Sequence, residues 1–81
     1  MPYIRKERRE RVRSGEVITY GELNYMLTTQ ILDFLPEHPR YEDFQSIIGL
    51  LECMKQEFYR RMVAPYEDKK IADPNNGDVF P

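Results

Sequence analysis

The chain has 81 residues with a formal net charge of −2, one cysteine, one histidine and no tryptophan. That length makes one small domain that buries only about 60% of its unfolded surface, so stability rests on helix packing or association. Lone Cys53 excludes an intramolecular disulfide, Cys53 and His38 make no zinc set, and no apolar run approaches the roughly 20 residues of a membrane span.

Met1-Pro2-Tyr3-Ile4 is followed by charge and not by an apolar core, so a secretory signal is not expected and a cytoplasmic protein is. Residues 5–13 hold six basic side chains, Arg5, Lys6, Arg8, Arg9, Arg11 and Arg13, against Glu7 and Glu10. The surplus of four leaves the rest of the chain near −6, an electrostatic dipole. Such an arm suits nucleic acid or an acidic partner, with Arg5, Arg8 and Arg9 as contact candidates. The plainer alternative is a solvated helix in which Glu7 and Arg11 pair four residues apart, with Ser14-Gly15 as its end.

"ITYGEL" is a helix start. Thr19 at N-cap and Glu22 at N3 form a capping box, and Ile18 and Leu23 are placed for a hydrophobic staple. Leu23, Leu27, Ile31, Phe34 and Leu35 then recur at helical spacing over about 20–35 until Pro36, and Tyr25 and Leu32 form a patch opposite. The loop 36–40 is short enough to make the next helix an antiparallel neighbour.

That third helix, Tyr41 to Val63, carries a stripe of Phe44, Ile47, Ile48, Leu51, Phe58 and Met62. At about 35 Å it overhangs the second helix, at about 24 Å, by some 10 Å. Tyr3, Ile4 and Val12, or another chain, should cover the overhanging Phe58, Tyr59 and Met62. Ser46, Gly49 and Cys53 line the opposite side, where small residues permit close approach. Two helices cannot bury both faces of each, so a third helix or self-association is expected.

"EFYRRMVAPYEDKK" joins that helix to a short one beginning near Pro65, with Glu67 and Asp68 in its first turn and Lys69 and Lys70 toward its end. Because Pro65 cannot donate to Arg61, the chain is expected to bend or restart there. The bend would bring Glu67 and Asp68 to Arg60 and Arg61, a structural cluster or an anion-binding surface. Glu57, Tyr59, Arg60, Arg61, Tyr66, Glu67 and Asp68 are therefore interaction candidates. "DPNNGDVFP" is turn chemistry, and its likeness to a calcium loop fails on the placement of Gly77.

No catalytic, cofactor or metal constellation is present in the sequence. "MPYI", "LNY" at 23–25, "EFYRR" at 57–61, "PYEDKK" at 65–70 and "NGDVF" at 76–80 together resemble a family of small proteins of unknown function from phages, bacteria and archaea. The resemblance implies a small cytoplasmic or phage context and supplies no catalytic residue. The expected protein is all-α and a single domain over 1–81: a basic segment at 1–15, an antiparallel hairpin core at 19–64, and a short helix with an irregular tail at 65–81. Its expected role is non-enzymatic protein interaction or assembly, as a phage accessory or inhibitor, with self-association. Nucleic-acid binding by the arm is the alternative, and no membrane partner is expected.

Overall fold

A computed structural model describes residues 2–81. It is all-α: α1 spans Lys6–Arg13, α2 Tyr20–Phe34, α3 Tyr41–Phe58 and α4 Ala64–Ala72, with a π-helical turn at Tyr59–Val63. Among the described residues there is no strand, and no helix is long and apolar enough to cross a membrane. The chain divides into two compact units, one ending at Asp43 and the other running Phe44–Pro81.

In the first unit, α1 is built from good helix formers, with Glu7 in its first turn and Arg11 and Arg13 in its last, which suits the dipole. Eight residues are too few for a stable isolated helix, so α1 depends on docking against α2. It ends in a Schellman motif. The Gly15 amide donates to Val12 O at 2.9 Å and the Glu16 amide to Arg11 O at 3.2 Å, with Gly15 at φ 103°.

The turn at 14–19 delivers the chain to the expected start of α2. Thr19 Oγ1 accepts from the Glu22 amide at 3.1 Å, and Glu22 Oε1 accepts from the Ile18 amide at 3.0 Å. The capping box is therefore present with its return bond reaching one residue further back than the usual N-cap amide. α2 stops at Leu35, whose φ −64°, ψ 145° is the extended conformation that Pro36 imposes.

The buried face of α2 is not the stripe that its periodicity suggests. Val12, Glu22 and Tyr25 are buried, whereas Leu23, Leu27 and Phe34 are exposed. Tyr25, expected on the far side, lies under α1 because the arginines there cover its ring. Val12, expected over Phe58 and Met62, is used inside the first unit.

In the second unit the helical path runs on without a loop from Phe44 to Ala72. Pro65 has no amide to give Arg61, and its ring would collide with that carbonyl in a regular α-helix. The π turn resolves both conflicts: the Ala64 amide donates to Tyr59 O, five residues back, and the ladder widens around the proline. The expected bend or restart is thus a local widening. The tail leaves α4 through Asp73, which accepts from the Asn75 amide at 2.9 Å, and turns at Gly77, φ 75°.

Candidate functional site

Two groups of charged residues were singled out by the sequence, the basic arm and the 57–70 segment, and the structure treats them differently. The arm is largely absorbed into a clasp around one carboxylate. Arg8 and Arg11, three apart on one face of α1, both reach Glu22 of α2. Glu22 Oε2 accepts from Arg8 Nε at 2.8 Å, from Arg8 Nη2, and from Arg11 Nη2 at 2.5 Å. Arg8 Nη2 also donates to Thr19 Oγ1 at 3.1 Å. Glu22 has no exposed surface, while both arginines are half-buried.

A buried carboxylate needs this many donors, because desolvation favours its neutral form. Burial alone pushes the Glu22 carboxyl up. The Arg8 side chain, the Ile18 amide and the charges of Arg11 and Arg8 outweigh it and hold the group below its ordinary value. The negative charge also sits at the first turn of α2, where the helix dipole favours it.

The other face of α1 covers Tyr25. The Arg9 guanidinium lies 5.7 Å from its ring centroid and that of Arg13 6.0 Å, both within cation–π range. Arg9 Nε is shut off from solvent without a hydrogen bond. Arg5 stays outside and meets Glu7 at 4.0 Å. The expected Glu7–Arg11 pair is thus replaced, Arg11 going to Glu22.

The second unit keeps its charges on the surface. Arg60 Nη2 donates to Glu57 at 2.8 Å and Arg61 Nη1 at 3.5 Å, along one face of the helix. Glu57 is therefore the acid that gathers the two arginines, and the structure does not bring Glu67 and Asp68 to them. Tyr59 and Tyr66 are exposed, the latter with the Lys70 ammonium 5.3 Å from its ring centroid. Beside Glu57 a shallow hollow is lined by Leu50, Cys53, Met54 and Phe58.

Glu22, Thr19 and Tyr25 as anchors of α1 are what sequence reasoning missed. A signal existed, since Arg8/Arg11 and Arg9/Arg13 stand at helical spacings that each present a pair of guanidinium groups to one neighbour.

These features define an all-α protein that fastens a basic first helix onto the capped start of a second. The chain belongs to the family of the domain of unknown function DUF6899, whose profile matches residues 1–79. No curated protein and no solved structure matches it.

Proposed function

We propose that this protein works by binding protein surfaces through its second unit and performs no reaction of its own. One observation carries this reading. Among the described residues from Phe44 onward none is buried, although α3 bears a full apolar stripe. Exposed apolar surface of that extent marks an interaction site on a soluble protein. An assembly, accessory or inhibitor role in a phage setting fits such a surface, and self-association is one form of it.

The alternative, a nucleic-acid accessory protein using the basic arm, has less support. Arg8, Arg9, Arg11 and Arg13 are engaged by Glu22 and Tyr25, which leaves Arg5 and Lys6 as the more available cations. The deciding experiment is affinity capture from the native host, with nuclease-treated and untreated lysates compared. Captured proteins should survive nuclease and be lost from a Phe44→Ser, Phe58→Ser variant. An identical set from the variant would overturn the interaction reading, and capture that vanishes with nuclease would favour the alternative.

A further inference from the structure

Tyr25, Thr29 and Asp33 stand four residues apart and so share one face of α2. Tyr25 is buried, Thr29 half-buried and Asp33 exposed, so the row emerges from under α1 into the open. A hollow of about 680 Å³ follows it, whose lining includes Val12 and Arg13 of α1 and Met26, Thr29, Gln30 and Asp33 of α2. That volume falls in the usual range of small-ligand sites, about 300–1,000 Å³. All of these residues belong to the first unit.

The walls of the hollow carry opposite charges that do not neutralise each other. Arg13 stands on the α1 wall and Asp33 on the α2 wall, and among the described residues neither forms an ion pair. A lone anion drawn to Arg13 would meet Asp33, and a lone cation drawn to Asp33 would meet Arg13. A ligand that carries both signs satisfies both walls. The Arg13 guanidinium is held 6.0 Å from the Tyr25 ring centroid, so part of its ordering precedes any ligand. Asp33 lies eight residues beyond Tyr25, about 12 Å along the helix axis. Thr29 and Gln30 stand between them. Thr29 Oγ1 donates to Met26 O at 2.9 Å and keeps its lone pairs for a donor, and Gln30 adds an amide that both donates and accepts.

We propose that this hollow binds a free dipeptide, with the ligand's carboxylate on Arg13 and its ammonium on Asp33. Two residues extend over about 7 Å, and a charge-assisted bond adds about 2.8 Å at each end, which matches the span from the Tyr25 ring to Asp33. The ligand's peptide group then faces Thr29 and Gln30, and Val12 and Met26 supply the apolar contact for its side chains. The site lies outside α3 and is independent of the reading of that helix as an interaction face.

The test is calorimetric titration of the full chain with Ala-Leu, with N-acetyl-Ala-Leu, which lacks the ammonium, and with Ala-Leu amide, which lacks the carboxylate. The free dipeptide should bind saturably, and each blocked form about tenfold more weakly, as one charge-assisted contact is lost. Asp33→Asn should weaken Ala-Leu about tenfold and leave N-acetyl-Ala-Leu unchanged, while Arg13→Gln should weaken Ala-Leu about tenfold and leave Ala-Leu amide unchanged. A variant that merely loosened the fold would weaken all three ligands alike. Melting curves accompany each titration, and Arg13→Lys keeps the charge if Arg13→Gln does not fold. N-acetyl-Ala-Leu binding as tightly as the free dipeptide would make this a plain anion site and overturn the proposal. Absence of saturable binding, or wild-type affinity for Ala-Leu in Asp33→Asn, would overturn it as well.

Discussion

Arg8 binds Glu22 through two nitrogens of one guanidinium edge, and the carboxylate that receives them is wholly buried at the first turn of the next helix. Removing the acid would leave Arg8 and Arg11 half-buried and facing each other. Glu22→Ala should therefore lower the melting temperature by at least about 10 °C, since breaking a buried pair from one side is strongly destabilising. Differential scanning calorimetry checks it, and a shift of a degree or two would mean that the clasp contributes little.

The same carboxylate sets an acid limit on stability. Its folded-state pKa is lowered, so its contribution is complete above the unfolded carboxylate value of about 4.3 and is lost as pH falls through the lower folded-state value. Between those two values the unfolded chain binds more protons, and stability rises with pH. Melting temperature should therefore drop more steeply on acidification in wild type than in Glu22→Gln, with the difference gone above about pH 6.

Thr19→Ala removes the acceptor shared by the Glu22 amide and Arg8. The loss should be about 1 kcal/mol by urea denaturation, the usual worth of such a cap. An unchanged midpoint would show that Glu22 and its arginines position α2 without the cap.

Arg61→Ala should change the melting temperature hardly at all. Arg61 is exposed and meets Glu57 at 3.5 Å beside the closer Arg60, an arrangement worth less than about 0.5 kcal/mol. A large drop would mean that the residue is held by contacts beyond Glu57.

Pro65→Ala restores the amide that Arg61 O lacks. The π turn at Tyr59–Val63 should then relax toward regular α-helix, with a gain of about 1 kcal/mol, less than the roughly 3 kcal/mol of an unaccommodated helix proline. Backbone chemical shifts at 59–65 report the change, and persistence of the i→i−5 bond in the variant would show that proline is not its cause.

What the sequence revealed follows the range of the forces involved. The cap at Thr19, the helix end at Gly15, the stop at Pro36 and the turn at Gly77 are decided by residues a few positions apart, and each stands where the local pattern puts it. The docking of α1 was hidden, because a run of arginines reads as a solvated face until a buried acid on another helix is known to receive it. Tyr25 was misassigned for the same reason: its cover is the flat guanidinium of Arg9 and Arg13, which apolar periodicity does not register. In the 57–70 segment local charge leads to Glu67 and Asp68 as partners of Arg60 and Arg61, whereas both arginines pair with Glu57, since the π turn lets Pro65 pass without folding the acids of α4 back onto them.

The clasp on Glu22 also orders events in time. Arg8 and Arg11 reach the carboxylate across 14 and 11 residues of chain, a separation that an unfolded polypeptide closes in about 10–100 ns. Glu22 is simultaneously part of the cap that starts α2, so the turn that nucleates this helix also assembles the acceptor that α1 needs. The first unit is accordingly a low-contact-order element whose formation requires no long search. It can organise while the remainder of the chain is still being made.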